Sequence, residues 1–125
     1  MRLLLDTHIL LWALLSPDRI PPAARAAIAE PANDVLVSVA SLWEIAIKHA
    51  LGRLVLPLDR LPALIAELGC TVLPIALPHA FAAGALPRHH ADPFDRMLIA
   101  QARHEGLTLV TVNTMFAHYD VPILA

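Results

Sequence analysis

The sequence predicts an α/β fold, a central and mostly parallel sheet covered by helices on both faces, in one domain spanning residues 1–125. Two observations carry this expectation. Short apolar, β-branched runs at 2–5, 35–39, 71–73 and 107–112 alternate with helical segments opened by Pro or Asp and closed by Gly. Such runs suit strands buried on both sides, and the helices between them serve as right-handed crossovers. In addition, 125 residues that are 58% hydrophobic and 16% charged provide apolar surface for one core and leave no room for a second.

In chain order, Arg2 to Leu5 is an apolar strand whose carboxyl end presents Asp6. A helix is expected from Thr7 to Leu15, broken by Ser16-Pro17-Asp18. Pro21 and Pro22 suit the first turn of a second helix to about Glu30, with Ala24, Ala27 and Ile28 inward, and residues 31–34 form a turn. Val35 to Val39 is the second strand, followed by a helix from Ala40 to Leu51 that Gly52 ends. Leu58 to Leu68 is a helix closed by Gly69, Thr71 to Leu73 a short strand, and Pro78 to Ala85 a further helix. After a loop at 87–91, Asp92-Pro93 opens a helix that Gly106 closes. Leu107 to Val112 and Val121 to Leu124 supply the last two strands.

Composition narrows the function classes. No stretch approaches the ~20 apolar residues of a membrane span, and Asp6 and His8 interrupt the apolar start before a signal-peptide core forms, so a cytoplasmic protein is expected. A single cysteine, Cys70, excludes an internal disulfide and a cysteine zinc cluster and is expected to fill apolar space. The formal charge of −2 offers no bulk attraction to nucleic acid, so RNA contact requires a local patch or a metal ion. Gly52, Gly69, Gly84 and Gly106 are isolated and fit helix ends, not a phosphate loop, and no nucleophile elbow is present. The histidines are scattered without zincin spacing, with His79, His104 and His118 expected at the surface. A phospho-acceptor domain would need a lysine at a strand end, whereas the one lysine, Lys48, falls on a helix.

In open parallel sheets, ligands bind beyond the carboxyl ends of the strands. Asp6, Glu44, Asp92, Asp95 and Asn113 all fall near such ends or on the helices that follow them. Each also has a plainer explanation. Asp6 is placed to cap a helix, and Glu44 to complete a capping box with Ser41 or pair with Lys48. Asp92 before Pro93 is an N-cap, which alone accounts for it; that leaves Asp95, the third helical residue, free to act as a ligand. Asn113 is an ordinary residue where a strand ends.

Leu-Leu-Leu-Asp6-Thr7-His8, the run from Ser38 through Trp43-Glu44 to Lys48, the run from His90 through Asp92-Pro93-Phe94-Asp95-Arg96 to Ala102, and Leu109-Val110-Thr111-Val112-Asn113 together resemble the PIN domain, across nearly the whole chain. More narrowly they resemble the VapC toxins of bacterial toxin-antitoxin pairs. The resemblance implies a PIN-like α/β/α sandwich and a metal-dependent endoribonuclease that leaves a 5′-phosphate and a 3′-hydroxyl. It implies Asp6, Glu44 and Asp95 as catalytic metal-binding acids and adds Asp92 as an acid of this subgroup, beside the metal or as a cap. Asn113 stands where the family usually carries Asp, so it would keep a carbonyl ligand while losing a charge.

Clustered carboxylates repel one another unless a cation neutralises them, and oxygen ligands suit Mg²⁺ or Mn²⁺. Such an ion lowers the pKa of water and offsets charge on the phosphate. Thr7 and Thr111 are placed to orient water or phosphate, and Arg88, His89, His90 and Arg96 to touch the RNA backbone. The resemblance further implies a cognate VapB-like antitoxin and a homodimer, for which apolar residues around Leu54 to Leu68 offer a face. The alternative is a catalytically impaired PIN-like module that acts through RNA or protein contacts, with Asn113 as its mark.

Overall fold

A computed structural model describes residues 1–125. Its elements are β1 (Arg2–Leu5), α1 (Thr7–Leu15), α2 (Pro22–Ala29), β2 (Asp34–Ser38), α3 (Val39–Ala50), α4 (Leu61–Glu67), β3 (Cys70–Leu73), α5 (Leu77–Ala85), α6 (Pro93–Glu105), β4 (Thr108–Val110) and β5 (Ile123–Leu124). Short 3-10 turns fill Pro17–Arg19, Leu58–Arg60 and Thr114–His118.

The five strands form one parallel sheet in the order β3-β2-β1-β4-β5. β1 lies at its centre, and Leu3, Leu4 and Leu5 have no exposed surface. The alternation of side chains along a strand divides the interior in two. Leu3, Leu5, Val35, Val37 and Val110 face a core with Ile9, Leu10, Ile45 and Ile65. Leu4, Leu36 and Leu109 face the opposite core with Leu98, Ile99, Leu107 and Phe116. α1 to α4 therefore cover one face, and α5 and α6 the other.

Every predicted strand and helix is present, with ends shifted by local chemistry. α3 starts at Val39 with no connecting loop, because Ser38 at the end of β2 is itself the cap, its hydroxyl accepting from the Ala40 amide at 3.0 Å. The expected helix from Leu58 begins as a 3-10 turn and becomes α4 only at Leu61. β4 stops at Val110, short of the expected Val112, because Asn113 caps the turn that follows. Gly106 closes α6 at φ +68°, a left-handed conformation that favours glycine. Gly84, in contrast, lies inside α5. Of the segment suggested as a dimer face, Leu56, Leu61 and Ile65 are buried in the core, while Val55 is exposed. Cys70 is half-buried against the same core, and burial raises its thiol pKa.

The chain runs β1, β2, β3 outward in one direction, then crosses back to lay β4 on the other side of β1. The crevice at that reversal, beyond the carboxyl ends of β1 and β4, is where an α/β sheet offers a ligand site.

Candidate metal centre at the sheet reversal

Asp6 leaves β1 at the reversal point and is 3% exposed. Its backbone amide extends the ladder to Val110 O at 3.1 Å, which fixes the main chain. Oδ1 accepts from the Ile9 amide at 2.7 Å, capping α1, and Oδ2 accepts the proton of the Thr111 hydroxyl at the end of β4. The cap expected from sequence is thus real, and it uses one carboxylate oxygen. Desolvation by burial raises the Asp6 pKa, against the pull of the Thr111 and Ile9 hydrogen bonds, and the Glu44 charge raises it further.

Glu44 lies one turn into α3. Its Oε2 pairs with Lys48 Nζ at 3.0 Å, as the i,i+4 spacing suggested. The capping box with Ser41 does not form: Ser38 is the cap, and Ser41 is buried, accepting the Thr7 hydroxyl proton at 3.0 Å. Thr7 is therefore committed to Ser41, leaving Thr111 as the threonine hydroxyl bound to a site acid. Glu44 Oε1 is buried without any hydrogen-bond partner, the one such side-chain atom in the protein. A lone-pair-rich oxygen left in that condition is costly unless something outside the chain completes it.

Asp92 caps α6 by accepting from the Asp95 amide at 3.0 Å, with Pro93 at the first helical position. Asp95 then points its Oδ2 to His90 Nε2 at 2.8 Å. Its pKa is raised by desolvation first, opposed by the His90 hydrogen bond, and raised again by the charges of Asp92 and Glu44. Asp6 and Asp95 thus both sense Glu44, which sets acids from three separate segments in one electrostatic neighbourhood. A Glu44 charge felt by both Asp6 and Asp95, two carboxyls raised by burial, and one unpartnered buried oxygen make a donor set suited to a hard divalent cation.

The fourth position is occupied differently. Asn113 Oδ1 accepts from the Met115 amide at 3.0 Å, and its own amide donates to Thr111 Oγ1 at 3.0 Å. The side chain caps a turn while its backbone supports the hydroxyl that holds Asp6.

The residues nominated for phosphate contact divide. Arg96 is spent on the loop before α6, donating to the carbonyls of Ala83, Leu86, Pro87 and His90. His90 holds Asp95. Arg88 and His89 are exposed and keep their side-chain donors free.

A feature that sequence reasoning missed is His79, which is buried rather than at the surface. It sits with His104 and Glu105, their ligand atoms within 4.8 Å of one another. However, His79 Nδ1 accepts from the Ala76 amide at 2.9 Å, so the ring proton sits on Nε2, facing Glu105 at 3.1 Å. A metal would require the lone pair of that same nitrogen, so the cluster is better described as a polar lock between α5 and α6. The sequence carries no signal for its burial, since the Ala76 amide reaches His79 only in the folded chain. A surface cavity of about 550 Å³ over Ala82, Leu86 and Ala100 contains none of the acids.

The PIN domain family model matches residues 3–122. No curated protein matches the chain. Among solved structures, it is similar to a chain of VapBC2 from Rickettsia felis bound to a DNA fragment from their promoter, with TM-score 0.73 and 17% identity, covering 99% of this chain and 98% of that one. DNA-bound VapBC from Salmonella typhimurium gives 0.72 and 18%, covering 99% and 97%. FitAcB from Neisseria gonorrhoeae gives 0.66 and 22%, covering 98% and 96%.

Proposed function

The chain belongs to the PIN domain family, and on that premise we propose that it is a VapC-type toxin, an endoribonuclease dependent on Mg²⁺ or Mn²⁺. The observation that carries this reading is the buried, unpartnered Glu44 Oε1 in a neighbourhood shared with Asp6 and Asp95. These three acids would hold the ion, with Asp92 and Asn113 beside it. Bound there, the ion would activate water and offset charge on the scissile phosphate.

The chain's own residues prepare that chemistry. Thr111 and the Ile9 amide fix both oxygens of Asp6, so this carboxylate is aimed before any ligand arrives. His90 fixes one oxygen of Asp95 and leaves the other open. Lys48 does the same for Glu44, leaving Oε1. Asp92 holds the first turn of α6 in register, which sets where Asp95 stands.

A VapB-like antitoxin and a second copy of the chain are the expected protein partners, by likeness to the toxin-antitoxin complexes named above. Exposed Trp43, Leu51, Val55, Leu77 and Phe81 provide apolar surface for them. The second reading, a binding module without hydrolysis, rests on Asn113, whose carbonyl oxygen already accepts from Met115. Incubation of structured RNA with Mn²⁺ separates the two. The nuclease reading expects 5′-phosphorylated products that vanish with EDTA and in Asp6→Asn and Asp95→Asn. Equal silence from wild type and both variants at high Mn²⁺ would reject it.

A further inference from the structure

The loop between α5 and α6 gathers positive charge next to the acids. Arg96 Nη1 donates to Pro87 O at 3.0 Å and His90 O at 3.2 Å, and Nη2 to Ala83 O and Leu86 O at 2.9 Å each. All four acceptors are neutral carbonyls, so the guanidinium is immobilised while its charge keeps no carboxylate partner. Gly84, Arg88, His89, His90, Ala91 and Arg96 line a polar pocket of about 440 Å³, and no acid lines it. His90 is common to the pocket and the acidic crevice, since its Nε2 holds Asp95 Oδ2 at 2.8 Å.

The pocket is also rigidly built. The Tyr119 hydroxyl donates to Pro87 O at 2.9 Å and accepts from the His90 amide at 2.9 Å, pinning both ends of the basic turn. The His89 ring stands edge-on to the Tyr119 ring, centroids 5.3 Å apart. Arg88 is exposed on this fixed turn, and neither a hydrogen bond nor an ion pair holds its guanidinium.

We infer that this pocket is a phosphate subsite, which takes a backbone phosphodiester of the RNA strand adjoining the one held at the acids. The inference rests on the nuclease reading. A strand approaching Asp6, Glu44 and Asp95 meets negative charge, and the overall charge of −2 offers no compensating attraction. An immobile Arg96 supplies a fixed positive potential, and Arg88 supplies a free fork of donors that matches a phosphate. A contact of this kind fixes the register of the strand and carries no base preference.

The test is fluorescence anisotropy of a labelled single-stranded RNA, with Ca²⁺ replacing Mn²⁺, titrated with wild type, Arg88→Ala and Arg88→Lys over a range of KCl. Arg88 is exposed and bonded to nothing, so both variants fold. Losing one phosphate contact should weaken binding several-fold at low salt and lower the slope of log Kd against log salt by about 0.7. Arg88→Lys should keep most of that slope. Identical slopes for wild type and Arg88→Ala, with wild type still cutting RNA in Mn²⁺, would overturn the subsite and leave the nuclease reading intact. A lowered slope together with a wild type that does not cut RNA would support the phosphate contact and overturn the nuclease reading.

Discussion

The Thr111 hydroxyl donates to Oδ2 of Asp6, 105 residues away in sequence, and ties the ends of the two strands that meet at the sheet reversal. The Thr111 hydroxyl oxygen in turn accepts from the Asn113 backbone amide at 3.0 Å. Thr111→Val removes both functions from a buried site and should cost on the order of 2 kcal/mol. Thr111→Ser should recover most of it. Chemical denaturation of the two variants checks this; equal loss in both would mean that packing of the methyl group, not the hydroxyl, matters.

Arg96 is a second structural anchor. Arg96→Lys keeps the charge but cannot reach four carbonyls on two sides at once. A loss of about 2–3 kcal/mol is expected, with the larger part from carbonyls left unpartnered. Hydrogen exchange should show the turn at 87–91 opening first. A variant as stable as wild type would show that the four bonds are replaceable by water.

Burial raises the carboxyls of Asp6 and Asp95 above the ordinary 3.8. A carboxyl whose folded pKa exceeds its unfolded value stabilises the fold when protonated. That gain is full below the unfolded value and is lost as pH rises through the folded one. The metal-free protein should therefore lose this contribution as pH rises through the raised pKa of the two carboxyls, the reverse of an ion-paired acid. Asp6→Asn cannot charge, so it should flatten the fall of the metal-free Tm with rising pH, while its single carbonyl oxygen can accept from only one of Ile9 and Thr111. It should also abolish the stabilisation that Mn²⁺ gives wild type, which at 100 times Kd is about 2.7 kcal/mol. Thermal melts with and without Mn²⁺ across this range measure both effects, and a metal-free Tm that falls with pH as steeply in Asp6→Asn as in wild type would contradict the account.

Asn113→Asp adds a formal charge next to the hydroxyl that holds Asp6 and can still cap the Met115 amide. Tighter Mn²⁺ binding by several-fold is expected from calorimetry. An unchanged affinity would place position 113 outside the metal centre.

The alternation of strands and helices, and the acids at their ends, were legible because they depend on local signals: β-branched runs, Asp92-Pro93, Gly106. The convergence of Asp6 with Thr111 was not, since it depends on the sheet order that sets β4 beside β1. The two oxygens of Asp6 take separate partners, one capping α1 and the other meeting Thr111 at the end of β4, a division that a single letter in the sequence does not reveal. Arg96 looked available for phosphate because its four carbonyl acceptors arise from a loop path that no periodicity reveals. The burial of His79 comes from α5 packing on α6, a tertiary contact that local pattern does not encode.

The central claim is that Asp6, Glu44 and Asp95 together hold a divalent cation. Anomalous diffraction from crystals of the protein grown with Mn²⁺ tests it most directly. The account predicts a peak within coordination distance of all three carboxylates, with Glu44 Oε1 among the ligands. Full occupancy at His79, His104 and Glu105 with no peak at the sheet reversal would contradict it.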